Sequence, residues 1–269
     1  MRLAIVSDIH GNLPALQAVV ADAGAVDGWL NLGDTLAGPL WPAETADFLM
    51  RQGWPTIAGN HERQMLAPDL SRMSAADRYA ALRITATQRA WMAALPPTMA
   101  GAEGLHCVHG TPGSDLECFV HTVTPAGMRP ATQDEIAARL GDLPATLVLC
   151  GHTHLPRQAM VGATLVVNPG SVGLQAYDHD QPFEHVVENG TPQARYAVIE
   201  CQHGAWTVQL RTVDYDFESA ARQAESAGRG DWADALRTGR VGRRERELNT
   251  VPTLGPGQVA SAAAPGVSA

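Results

Sequence analysis

Between residues 3 and 154, five short apolar runs each stop at side chains carrying an oxygen or imidazole donor, usually beside a glycine. Run 3–6 is followed by Asp8 and His10, and run 29–32 by Gly33 and Asp34. Run 56–58 leads into Gly59, Asn60, His61 and Glu62, run 105–108 into His109 and Gly110, and run 147–150 into Gly151, His152 and His154. Apolar runs this short, closed by turn formers, read as buried strands. Helical patterns fit the stretches 14–23, 43–52, 75–95 and 132–140, the last opening on the capping-box residues Thr132-Gln133-Asp134-Glu135. Strands alternating with helices imply an α/β organisation. In an open α/β sheet the carboxyl ends of the strands share one edge, and ligands bind there. The pattern therefore gathers the donors of five strand ends around one spot.

The donor count sets the expected number of ions. Asp8, His10, Asp34, Asn60, His109, His152 and His154 make seven protein ligands, more than the roughly four to six that one transition-metal ion takes. Two ions sharing one carboxylate account for all seven, at a separation of roughly 3.5–4 Å. A set of His, Asp and Asn suits Mn²⁺, Fe or Zn²⁺, and the lack of cysteine in it disfavours a structural zinc site. Taken singly, Asp8, Asp34 and Asn60 read as turn formers or helix caps. Five blocks in one order outweigh that reading.

Asp8-Ile9-His10-Gly11-Asn12, Gly33-Asp34, Gly59-Asn60-His61-Glu62, His109-Gly110 and Gly151-His152-Thr153-His154 resemble the signature of the calcineurin-like metallophosphoesterase superfamily, over about residues 1–213. Asn168-Pro169-Gly170-Ser171 resembles the loop that follows the last of these strands in small bacterial members. The resemblance implies a four-layer α/β/β/α sandwich of two mixed sheets. It implies that Asp8, His10 and His154 hold one divalent metal, that Asn60, His109 and His152 hold another, and that Asp34 bridges them. His61 would bind no metal and would act over the substrate phosphate as a general acid or charge stabiliser, an effect worth ~10²–10⁴ in rate. The expected activity is hydrolysis of phosphoric esters by metal-activated water, diesters ahead of monoesters. The alternatives are a non-catalytic scaffold of the same fold and a nuclease of the same superfamily.

Composition trims the rest. All nineteen basic residues are arginine, which excludes a P-loop lysine and Schiff-base chemistry. A net charge of -9 argues against coating long nucleic acid but not against a small phosphorylated substrate, since bound cations would dominate the local field. There is no apolar run long enough for a membrane helix, and Met1 leads straight into a strand-like run, so a cytoplasmic protein is expected. Cys107, Cys118, Cys150 and Cys201 form no C-x-x-C pair and read as reduced thiols, Cys107 and Cys150 pointing into the core.

Later strands are expected at 163–167, 194–200 and 205–213, all antiparallel, with a tight turn at His203-Gly204. The segment 175–193 reads as a long surface loop. A metallophosphoesterase domain over 1–213 would be followed by a helical extension over 214–248 and a flexible Pro/Gly/Ala/Ser tail over 249–269. Pocket walls are expected at 41–42, 67–97, 111–130 and 175–193, where Tyr79, Phe119 and Tyr177 would pack or stack on a base. Arg63 is placed to reach a phosphate or solvent, and the cluster Arg237, Arg240, Arg243, Arg244 and Arg246 to form a solvated face. Substrate and oligomeric state are not specified by the sequence.

Overall fold

A computed structural model describes residues 1–244. Segment 249–269 and Arg246 lie outside the described residues. The first half of the chain runs β1 (Arg2–Val6), α1 (Leu13–Ala23), β2 (Gly28–Asn31), α2 (Pro42–Gln52), α3 (Asn60–Leu66), α4 (Ala75–Ala81), α5 (Ala86–Ala93), β3 (Met99–Ala100) and β4 (Leu105–Cys107). It continues with β5 (His121–Thr124), β6 (Gly127–Pro130), α6 (Gln133–Leu140), β7 (Leu147–Leu149), β8 (Arg157–Val161) and β9 (Thr164–Asn168). The remainder is β10 (Ala176–His179), β11 (His185–Glu188), β12 (Ala194–Gln202), β13 (Ala205–Val213), α7 (Phe217–Ser226) and α8 (Gly230–Thr238).

Two mixed sheets form the centre, ordered β13-β12-β1-β2 and β3-β4-β7-β9-β8. Side-chain alternation along each strand decides the layers. Ile5, Leu30, Leu105, Cys107, Leu147 and Leu149 meet Ala197 and Ile199 between the sheets. Their neighbours Ala4 and Val6 face outward, where they pack with Leu16 and Val19 of α1, Leu49 of α2 and Tyr196. On the other outer face Val108, Val148, Cys150 and Val166 pack against Ile136 and Leu140 of α6. The result is the expected α/β/β/α sandwich. Cys107 and Cys150 point to opposite sides of their sheet, and both are fully buried.

Several expectations change in detail. Segment 56–58 is not a strand but a single parallel bridge, Thr56 to Asn31, because Pro55 and Gly59 bracket too short a run. Segment 75–95 is two helices. Ser74 caps α4 and Thr85 caps α5 through the Asp77 and Gln88 amides, so each Ser/Thr-x-x-Asp/Gln tetrapeptide starts its own helix. β9 is antiparallel to β8 but parallel to β7. The expected loop 175–193 contains the hairpin β10–β11, and 111–130 contains β5–β6. The β12–β13 hairpin does turn at His203-Gly204, both at positive φ.

Candidate metal centre

The strand ends converge as the pattern requires, and their backbone there is unusual. Asp8 (φ 53°), His10 (φ 52°), Asp34 (φ 53°), His152 (φ 69°) and His154 (φ 56°) all occupy the left-handed region. Among the described residues seven non-glycine residues have positive φ, and five are candidate ligands. The conformation costs an L-residue roughly 1–2 kcal/mol, so it survives only where the surroundings fix it. Here the surroundings are backbone hydrogen bonds between loops: Asp8 N–H to Gly33 O at 3.0 Å, His10 N–H to Asp34 O at 3.0 Å and Gly151 N–H to His109 O at 2.8 Å. Gly59 is needed because a Cβ there would run into Asp34 Oδ1.

Two groups of donors result. Ligand atoms of Asp8, His10 and His154 all lie within 4.8 Å of one another, and so do those of Asp34, His109 and His152. In three of the four histidines Nδ1 is held by a carbonyl: His10 by Ala37 O, His109 by Leu32 O and His154 by Leu174 O, each at 2.8 Å. An N–H donated from Nδ1 leaves Nε2 as a lone pair aimed at the centre. His152 is reversed, with Nε2 on Leu116 O at 2.9 Å, so its Nδ1 is the nitrogen left for an ion.

The donor set fits cations. His10 Nε2 and His154 Nε2 face each other at 3.1 Å, and two such lone pairs repel unless a positive charge lies between them. Asn60 Oδ1 is buried with no hydrogen-bond partner. His109 Nε2 is likewise unpartnered although Asp34 Oδ2 is 3.0 Å away, off the line a hydrogen bond needs. Buried polar atoms left unpaired cost free energy, and an ion would satisfy both.

Electrostatics point the same way. Burial alone would raise the Asp34 carboxyl, but His109 and then His61 hold it well below the ordinary carboxylate value. Burial would also lower His109, yet the Asp34 charge raises it to about 10, so without an ion Nε2 carries a proton that a cation would displace to free the lone pair. A site that grips a proton this firmly is attractive to any cation. His10 is pushed down to about 3 by burial and then by His154, and His152 to about 4 by burial and then by His109. Both are neutral imidazoles ready to donate a lone pair.

His61 stands at the rim of this centre, its ring edge-on to His10 with centroids 5.3 Å apart. Its backbone N–H donates to Asp34 Oδ1 at 2.9 Å, and its Nδ1 is 2.6 Å from Asp77 Oδ1. Burial opposes its charge, but Asp34 and the Asp77 hydrogen bond raise it to about 9. Asp77 of α4 escaped the sequence reading. Its only local signal was the Ser74 cap, whose hydroxyl donates to Asp77 Oδ2 at 2.7 Å. Glu62 was read as part of a motif without a task. Its buried carboxylate accepts from the backbone of Asp34 (2.8 Å), Gly59 (2.7 Å) and Thr35 (2.7 Å) and from the Thr35 hydroxyl (2.7 Å), tying the β2 loop to α3.

Other candidates resolve differently. Arg63 is engaged in a two-pronged pair with Asp115 at 2.7 and 2.8 Å. Phe119 is core, and Tyr79 packs under Arg83, whereas Tyr177 sets its ring edge-on to His154 at 4.8 Å. Arg237, Arg240, Arg243 and Arg244 all pair with acidic groups: Glu218 and Glu225, Glu188, Asp234, and Glu184 respectively.

A family model described as the calcineurin-like phosphoesterase superfamily domain matches residues 1–201. A metallophosphoesterase of Sphaerobacter thermophilus has a similar structure, with a TM-score of 0.68 and 24% identity, over 88% of this chain and 100% of its own. A hypothetical protein of Pyrococcus horikoshii OT3 aligns with a TM-score of 0.70 and 17% identity, over 90% of this chain and 99% of its own. No curated protein matches the chain. These likenesses extend the agreement in fold past the residues that carry the motifs. With three quarters of its length matched and both donor groups assembled at the strand ends, the chain belongs to the calcineurin-like phosphoesterase superfamily.

Proposed function

We propose that this protein hydrolyses phosphodiesters with two divalent cations, one held by Asp8, His10 and His154, the other by Asn60, His109 and His152, with Asp34 shared. The observation that carries the reading is the pair of donor groups, together with the buried, unpartnered Asn60 Oδ1 and His109 Nε2 of the candidate ligand set. Cations at these positions would supply a nucleophile at neutral pH and positive charge for phosphoryl oxygens. The chain's own residues do the rest. The carbonyls of Ala37, Leu32 and Leu174 fix the imidazoles before substrate arrives, so little reorganisation remains at reaction. His61, anchored on Asp77 through Nδ1, presents Nε2 at the rim and delivers a proton to the departing alkoxide.

The preference for diesters rests on charge. A monoester dianion calls for cationic side chains beyond the ions, and Arg63, the arginine nearest the motif, is committed to Asp115. Assay of the Mn²⁺-loaded protein on bis(p-nitrophenyl) phosphate and p-nitrophenyl phosphate tests this. Higher kcat/KM on the diester is expected, higher kcat/KM on the monoester refutes the preference, and no turnover with any of several metals favours a binding scaffold. Sharing of Asp34 has its own test. Asp34→Asn should deplete both ions in metal analysis, and loss of one alone would contradict a bridge.

A further inference from the structure

The matched family domain ends at residue 201, yet α7 and α8 beyond it reach the metal centre. Their direct ring contact is with His10, while the side of the second group is approached through Tyr177, which packs against the same cluster and donates its hydroxyl to His152 O at 3.4 Å. Trp232 of α8 is 8% exposed and sets its ring edge-on to His10, with centroids 5.8 Å apart and planes at 79°. Between the two runs the Ala37-Gly38 backbone, whose Ala37 O holds His10 Nδ1. Gly38 has φ 148°, and a Cβ there would lie 2.7 Å from His10 O and 2.8 Å from the Trp232 ring, so only glycine lets these three layers close. Leu174, whose carbonyl holds His154 Nδ1, packs in the same cluster as Trp232, Leu236 and Ala224. Tyr215, just before α7, accepts a hydrogen bond from Asn12 Nδ2 at 3.1 Å, two residues past His10.

The second donor group is held by other means. His109 is oriented by Leu32 O, and Leu32 belongs to the core between the sheets, which contains no residue of α7 or α8. His152 is oriented by Leu116 O.

We infer that the α7–α8 pair is a positioning device for one ion only: through Trp232 it fixes the carbonyls that aim His10 and His154, and so sets the affinity of the Asp8/His10/His154 group. The inference rests on the two-ion reading above. Groups that orient metal ligands from behind typically change affinity by about 10–100-fold when lost.

The test is Mn²⁺ titration of the metal-stripped full-length chain by calorimetry, with electron paramagnetic resonance to distinguish a coupled ion pair from an isolated ion. Trp232→Ala should leave one ion bound as in the wild type and weaken the other by about 10–100-fold, converting the coupled spectrum to an isolated-ion one. The weakened ion should be the one lost in His154→Ala and not the one lost in His109→Ala. Trp232→Phe, which keeps a ring over Gly38, should restore binding. Trp232→Leu serves in place of Trp232→Ala if the latter does not fold. Equal weakening of both ions, or of neither, overturns the inference. A wild-type chain that takes up fewer than two ions would instead defeat the two-ion reading itself.

Discussion

At the residue scale the site is a set of side chains whose freedom has been removed. Five candidate ligands sit in the left-handed region and three histidines are pinned through Nδ1, so the cost of organising the candidate site is met on folding. His61 differs, being held by Asp77 at the rim. His61→Ala should keep both ions by metal analysis while slowing turnover by ~10²–10⁴, most for substrates with poor leaving groups. Unchanged turnover of such substrates would remove His61 from the chemistry.

A second histidine shows the same control serving stability. His121 is 5% exposed with Nδ1 on Thr153 Oγ1 at 3.2 Å, and burial, then Arg157 and Arg139, push its pKa down to about 4. Protonation therefore favours the unfolded chain, whose histidine titrates near the ordinary 6.5. The stability held above pH 6.5 is lost as pH falls toward 4, amounting to roughly 3 kcal/mol for this group. Urea unfolding across that window should show a shallower pH slope in His121→Asn than in the wild type. His10 and His152 titrate in the same direction and keep part of the slope in both proteins.

At the scale of elements, the link between the β2 loop and α3 decides whether Asp34 and Asn60 meet. Glu62 makes that link with four hydrogen bonds, and its replacement orphans three buried backbone amides. Glu62→Ala should cost at least about 3 kcal/mol by chemical denaturation. A loss below 1 kcal/mol, on the order of an exposed substitution, would show the loop is held by other contacts.

The same elements show what a sequence can and cannot disclose. The candidate ligands other than Asn60 were legible because each follows a strand, and strand ends in an α/β sheet share an edge by topology alone; Asn60 follows the single bridge at Thr56 and opens α3. The capping tetrapeptides at Ser74 and Thr85 were also in plain view and split the helix expected over 75–95. Asp77, Glu62 in its bracing role and Trp232 were not legible, because their partners lie 16, 28 and 222 residues away and pairing over such separations leaves no local periodicity. The hairpins β5–β6 and β10–β11 were missed for a related reason: His121–Thr124 and Ala176–His179 are short and partly polar, so they pair through backbone while lacking the apolar alternation that signals a strand.

At the scale of the whole molecule, the two sheets bury their shared face, and among the described residues both candidate donor groups are built from residues that follow their strands. Among the described residues, Arg237, Arg240, Arg243 and Arg244, on α8 and just after it, each pair with the chain's own acids. Among the described residues no helix is long and apolar enough to cross a membrane. Cations bound at an edge assembled from elements spread over the chain should stabilise the entire fold. Free Mn²⁺ at about a hundred times its Kd contributes ~2.7 kcal/mol per site, read as a rise in Tm that a chelator reverses.

The two ions are proposed to act together. Stepwise addition of Mn²⁺ to the metal-stripped protein, with bis(p-nitrophenyl) phosphate turnover measured at each step, tests this directly. Turnover is predicted to appear as the second equivalent binds; full turnover at one equivalent, or none at two, would contradict the account.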